Sequence, residues 1–309
     1  MNWKSFYILF GLLSGFIPSI NEAKDFESKY KSFVETHKKI DTAENLDETL
    51  KLELAKTCKK ISVDYKDFLK WLLEQKVFTY DEKVLRRYLE PKRKKVSKIS
   101  NKKNAKNVSK SKNLQNILDF IKANITHLES LEITYQVPKE VIASIYSHET
   151  RLGTFKLPHV LLDVLLSELI FMDEVAAMNE VINVKRIKRL KRLARYSLIY
   201  LYKYWDKDKI IYSSWAGACG PMQFMPFNFH YLKDGNGDNK IDPTNELDSI
   251  AGAYNFLKVK GWTEELSRTF ELGVTNNKMH KVILRYNSSE EYASGILQTA
   301  LRLQKLHGK

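Results

Sequence analysis

Three stretches of the chain carry residue types that could do chemistry. The first is Ile145-Tyr146-Ser147-His148-Glu149-Thr150-Arg151-Leu152-Gly153. Val141, Ile142, Ile145 and Leu152 recur at helical spacing, and Glu149 falls on the same apolar face. A carboxyl turned inward near the end of a short helix is pushed towards its neutral form twice. Burial penalises the anion, and so does the negative end of the helix dipole. A carboxylic acid that keeps its proton near neutral pH is suited to general acid catalysis. The competing reading of these residues is a buried glutamate paired with Arg151.

The second stretch runs from Ser213-Ser214-Trp215-Ala216-Gly217 through Ala218-Cys219-Gly220-Pro221 to Met222-Gln223-Phe224-Met225-Pro226. Small residues let backbone approach a ligand, Gln223 offers a donor and an acceptor, and Phe224 and the methionines offer apolar walls for a sugar-like ring. An ordinary loop between helices is the alternative. The third stretch is Asp234-Gly235-Asn236-Gly237-Asp238-Asn239-Lys240-Ile241-Asp242-Pro243-Thr244-Asn245-Glu246. Asp234, Asn236 and Asp238 stand at positions one, three and five of a calcium loop, and Lys240 would lend its carbonyl. Asn239 replaces the glycine of position six, and Asn245 stands at position twelve with Glu246 one step late. That spacing leaves weak calcium binding and a metal-free acidic turn both open.

These stretches need a scaffold, and the sequence offers a helical one. Glycine and proline are sparse and no long alternating pattern occurs, so the fold is expected to be mainly α with little or no β. Pro138 fits the start of the Glu149 helix and Gly153 its stop. Leu114, Ile117, Leu118, Ile121, Ile125 and Leu128 form a stripe before it. Residues 160–170 are apolar almost all round, as in a core helix. Val184, Ile187, Leu190, Ala194 and Leu198 line one face of a strongly basic helix whose cations are expected to reach into water. Ile250 to Trp262 reads as one further helix and the residues after Asn287 as a last one.

The chain has 309 residues with a formal net charge of +14. It begins with a basic residue, an apolar run over 6–17 and a small residue at Ala23, the pattern of an export signal over 1–23. No cysteine follows the run, which argues against a lipid anchor. Residues 24–90 carry helical stripes such as Leu50, Leu54, Cys58 and Ile61 and read as an N-terminal helical subdomain. Residues 91–113 hold ten Lys or Arg and no acid, a composition that favours a flexible loop. A basic exported protein expects an anionic partner, a wall polymer or a membrane surface; without aromatics to stack on bases, no specific nucleic acid is expected. Residues 114–309 would hold the chemistry. Cys58 and Cys219 are expected to be small core residues.

Together these pieces resemble the exported lytic murein transglycosylases, closest to the B type. The resemblance rests on Val137-Pro138, Ser147-His148-Glu149-Thr150-Arg151-Leu152-Gly153, the stretch from Ala216 to Pro226, the Asp-rich loop running into Asp248-Ser249-Ile250-Ala251, and Arg285-Tyr286-Asn287-Ser288, all in order. Cys219 stands where that family usually has Met, and Leu152 where it has an aromatic. The resemblance implies a goose-type lysozyme-like catalytic domain in the periplasm, acting as a monomer on peptidoglycan glycan strands and requiring no cofactor. It implies that Glu149 is the single acid and base of the cut between N-acetylmuramic acid and N-acetylglucosamine, which leaves a 1,6-anhydro end. It also implies that Ser214, Gln223, Phe224, Tyr286, Asn287 and Tyr292 line the cleft. A hydrolytic muramidase of the same fold and a non-catalytic wall-binding protein are the alternatives.

Overall fold

The computed structural model describes residues 28–33, 35–36, 40–41, 46–75, 77–78, 111–177, 184–205 and 209–307. The export signal read over 1–23 and the basic segment up to residue 110 lie outside the described residues. Residues 111–113 open a helix.

Helices dominate, as the composition requires. Near the N-terminus, α1 (Glu48–Ile61) and α2 (Tyr65–Glu74) are each started by an aspartate, Asp47 or Asp64, whose side chain accepts a backbone N–H three residues on. The buried stripe of α1 is the expected one, Leu50, Leu54, Cys58 and Ile61, and α2 buries Phe68, Trp71 and Leu72. Two short strands, β1 (Ile40–Asp41) and β2 (Val77–Phe78), pair antiparallel beside them.

The single stripe from Leu114 to Leu128 is divided between two helices, α3 (Ser111–Ala123) and α4 (Ile125–Tyr135). The break falls at Asn124, which leaves helical geometry while its side-chain amide donates to the Phe120 carbonyl. Neither glycine nor proline marks it. Next comes α5 (Lys139–Thr150), with Pro138 as the residue just before its first turn. Residues 140–147 of α5 are buried without a break, because α11 (Glu290–His307), α3, α4 and α8 (Glu246–Val259) all pack on it. A helix buried on all sides must be short of charge, and α5 carries its one catalytic candidate in its last turn.

On the other side, α6 (Leu161–Ala177) packs on α7 (Val184–Tyr204), and α7 in turn receives α1, α2 and a 3-10 turn over Pro226–Tyr231. The apolar face of α7 is buried at Ile187, Ala194 and Leu198, while Val184 at its tip is 64% exposed. Lys191 and Arg195 reach back to Asp173 and Glu53. The helix therefore packs one stripe and holds most of its cations outward, as its pattern predicts.

A second pair of strands, β3 (His159–Val160) and β4 (Tyr212–Ser213), ties the start of α6 to the Ser213–Pro226 loop. Helix α8 starts at Glu246 and ends at Val259, four residues earlier at one end and three at the other than the sequence reading of 250–262. Asn245 caps its start, and Trp262 lies beyond it, buried, with its indole N–H on Ser267 Oγ at 2.9 Å. Helices α9 (Glu264–Glu271) and α10 (Asn277–Tyr286) complete the chain before α11. Cys58 and Cys219 are both buried and unpaired with each other, as core residues. Among the described residues no helix is long and apolar enough to cross a membrane.

Candidate active site

Glu149 is aimed inward, from the last full turn of α5. The turn stops abruptly: Arg151, Leu152 and Gly153 all adopt positive φ, at 53°, 57° and 76°. Two non-glycine residues in that region are strained, and hydrogen bonds hold them there. Arg151 N–H donates to Ser147 O, Gly153 N–H to Thr150 Oγ1, and Thr150 Oγ1–H in turn to Pro221 O at 2.7 Å. The end of α5 is thus fastened directly to the Ser213–Pro226 loop.

The expected alternative, an ion pair with Arg151, is not what forms. Arg151 is exposed, its guanidinium 5.9 Å from the Phe155 ring centre. The Glu149 carboxyl instead accepts a hydrogen bond from the Tyr292 hydroxyl, O to O 2.7 Å. Burial pushes the carboxyl pKa up to about 7, against which the Tyr292 hydroxyl acts by favouring the anion. Near neutral pH the group is therefore poised between acid and base. Tyr292 is placed by the cap of α11: Ser289 Oγ accepts its backbone N–H, and Glu290 begins the helix.

Around this acid the other site residues take distinct places. Tyr286, the last residue of α10, donates its hydroxyl to the Met222 carbonyl, and its ring is edge-on to Phe256 and Phe224. Burial raises its pKa well above the ordinary phenol value, and the neighbouring Glu149 charge adds to this. Gln223 has φ 52°, and its amide nitrogen donates to Gly220 O at 3.0 Å. Ser214 Oγ accepts the Ala218 N–H across the loop, so this hydroxyl first shapes the loop and is only partly exposed. Asn287 is exposed; its backbone N–H ends α10 on Ile283 O, and its side-chain oxygen accepts the Ser289 N–H in the turn before α11. Phe224 does not line a wall. It is 4% exposed and supports Tyr286 from behind, while its carbonyl pairs with Cys219 N–H. A residue at a strand-like bridge inside a tight loop faces the core, which loop composition alone does not reveal.

The Asp-rich loop is closed differently from its sequence spacing. Asn239 at position six has φ 62°, the left-handed geometry asked of it. Asp234 accepts the N–H groups of Gly237, Asp238 and Asn239, Asn236 accepts that of Asp238, and Asp238 accepts that of Lys240. Asn245 is not at a ligand position: its side-chain oxygen caps α8 by accepting Leu247 and Asp248 N–H. The residue that closes the loop is Asp248, 1% exposed, with one oxygen on Gly235 N–H and the other on Asp242 N–H, both at 2.8 Å. The oxygens suit a hard cation, but they are turned onto the loop's own N–H groups. Among the described residues no three His, Cys, Asp or Glu side chains converge as a metal site.

Two residues of the site escaped the sequence reading. Asp248 sits in the first turn of α8, beyond the span a contiguous loop rule searches. His148 packs its ring edge-to-face on Tyr292, with centroids 4.6 Å apart and planes at 82°. Its burial depresses the imidazole pKa to about 4, so the ring is neutral at neutral pH. His148 stands inside the motif around Glu149, but nothing in that motif shows that its ring meets Tyr292.

A helical, lysozyme-like fold with an inward carboxylic acid at a helix end fastened to the Ser213–Pro226 loop defines the class: a peptidoglycan lytic transglycosylase. The chain belongs to the transglycosylase SLT domain family, whose model matches residues 47–281. Solved structures agree on the fold. Escherichia coli lytic transglycosylase SLT35, in complex with calcium, aligns with a TM-score of 0.60 at 20% identity, covering 83% of this chain and 92% of that one. SltB1 from Pseudomonas aeruginosa gives 0.61 at 18% identity, covering 84% and 99%. SltB3 from the same organism, in complex with NAG-anhNAM-pentapeptide, gives 0.57 at 16% identity, covering 82% and 78%. Among curated proteins none matches the sequence.

Proposed function

We propose that this chain is an exported lytic transglycosylase that cuts peptidoglycan strands between N-acetylmuramic acid and N-acetylglucosamine and leaves 1,6-anhydro ends. The observation that carries the reading is the Glu149 carboxyl, part-buried at the end of α5 and accepting the Tyr292 hydroxyl at 2.7 Å, where desolvation pushes its pKa up to about 7. Protonated, it gives its proton to the glycosidic oxygen. The resulting carboxylate, steadied by the Tyr292 hydroxyl, then takes the proton of the muramic C6 hydroxyl, which attacks the anomeric carbon. That hydroxyl belongs to the same sugar, so its effective concentration is high and no second carboxylate is needed to activate water. Gln223 and Ser214, on the loop fastened to α5, hold the sugar. SltB3 with its bound NAG-anhNAM-pentapeptide supports this substrate class.

The experiment is product analysis. Purified sacculi digested in 18O-labelled water should release muropeptides with anhydro ends and no label. Labelled reducing ends would show a hydrolytic muramidase instead, and no release at all would show a wall-binding protein.

A calcium ion at the Asp-rich loop is part of this proposal as a weak structural ligand, dispensable for activity. Asp234, Asn236, Asp238 and the Lys240 carbonyl would hold it, and it would do no more than fasten the loop that Asp248 closes from behind. Millimolar calcium is expected to raise the melting temperature by roughly 1–3 °C, and Asp238→Ala to remove the rise. An unchanged melting temperature in the wild type would leave the loop a metal-free turn.

A further inference from the structure

We infer that His148 is a positioning residue for the acid, its imidazole ring holding the Tyr292 phenol in the orientation that donates to Glu149. The inference rests on the glycosidase reading of the site and deepens it. Glu149 accepts one directional contact, the 2.7 Å bond from Tyr292. The Tyr292 backbone is fixed by the Ser289 cap, and the residue is 1% exposed, so its side-chain torsions are set by what packs on it; among the described residues the aromatic ring that does so is His148. The ring of His148 lies against it nearly perpendicular, at a 4.6 Å centroid separation that suits an edge-to-face pair. His148 and Glu149 are consecutive on α5, so one helix end presents both the acid and the brace for its donor.

The groups facing Glu149 from the packed elements are Tyr292 on α11 and Tyr286 on α10, and both are phenols, neutral in the working range, whose pKa burial raises further. The neutral imidazole therefore adds no charge to the site. It acts through shape and ring electrostatics alone. Loss of the Tyr292 hydrogen bond removes the influence that lowers the Glu149 pKa, so a loosened phenol moves the acid's midpoint upward.

The test uses the full chain and follows the Glu149 carboxyl by 13C NMR titration beside kcat and KM. His148→Leu fills the volume and keeps water out, yet lacks the ring contact. It is expected to raise the midpoint by about half a pH unit and to lower kcat about three- to tenfold with KM unchanged. Tyr292→Phe should raise the midpoint by about one unit, since it removes the hydrogen bond outright. The double variant should match Tyr292→Phe alone, because the brace has nothing left to hold. His148→Phe should restore the wild-type midpoint and kcat. An unmoved midpoint in His148→Leu, additive shifts in the double variant, or no recovery with Phe would overturn the assignment. Absence of glycan cleavage by the wild type would strike at the glycosidase reading instead, and the NMR midpoints would still decide the role of His148.

Discussion

Glu149→Gln is expected to abolish clearing of sacculi, by at least about a thousandfold in rate, while making the protein more stable at alkaline pH. The first effect follows because glutamine matches the shape of the carboxyl and accepts the Tyr292 hydroxyl but cannot give a proton. The second follows from the raised pKa. With a folded value of about 7 against 4.5 for the free group, the native state holds a proton that the unfolded chain has released. The stabilisation from that retained proton is full below about 4.5, and it is lost as pH rises through about 7. Wild type and variant should therefore match near pH 4, diverge between pH 4.5 and 7, and differ above that by roughly 1–3 kcal/mol. His148, with its depressed pKa, pushes stability the other way over acidic pH, but it is common to both proteins and cancels in the difference. Denaturant midpoints at pH 4 and pH 8 measure this. A variant no more stable than wild type at pH 8, or one that still clears sacculi, would remove Glu149 from its role.

Gly220→Ala is the second large effect, and it reaches the site through the backbone. Gly220 has φ 72°, and a Cβ placed on it would lie 2.0 Å from the Pro243 carbonyl oxygen. Neither backbone segment has slack. Gly220 O accepts from both the backbone and the side chain of Gln223, and Pro243 O accepts from Ser249 Oγ at the start of α8. The variant is expected to lose about 3 kcal/mol or more, with Gln223 displaced and activity lost. Gly237→Ala supplies the control. Its φ is 77°, but a Cβ there meets nothing within 4 Å, so only the left-handed strain of about 1–2 kcal/mol applies and activity should survive. Equal denaturation midpoints for the two variants would contradict the close approach at Gly220.

The site was legible in the sequence where a local pattern determines it. The apolar face of α5 carries Glu149 inward because the period of a helix leaves no other direction for it, and Asn239 takes its left-handed turn because few residues tolerate one. What the pattern missed depends on contacts between distant segments. Nothing near Glu149 says that Tyr292, 143 residues later, rather than Arg151, two residues later, will hold its carboxyl. Phe224 is read as a wall by composition and becomes support for Tyr286 because its carbonyl pairs with Cys219. Asn245 has the right spacing for a ligand, but helix capping takes its side-chain oxygen first, and the carboxylate that spans the loop comes from Asp248 within the next helix. The division of α3 from α4 at Asn124 leaves both halves of the apolar stripe in phase, so periodicity could not show it.

The most direct test of a single proton-bearing carboxyl is its own titration. In protein labelled with 13C at glutamate side-chain carboxyls, the Glu149 resonance is assigned by its disappearance in Glu149→Gln and followed from pH 3 to 10. A midpoint near 7 is the predicted result. A midpoint near the ordinary 4.5 would mean that Glu149 is already ionised at neutral pH and cannot serve as the acid that cuts the strand.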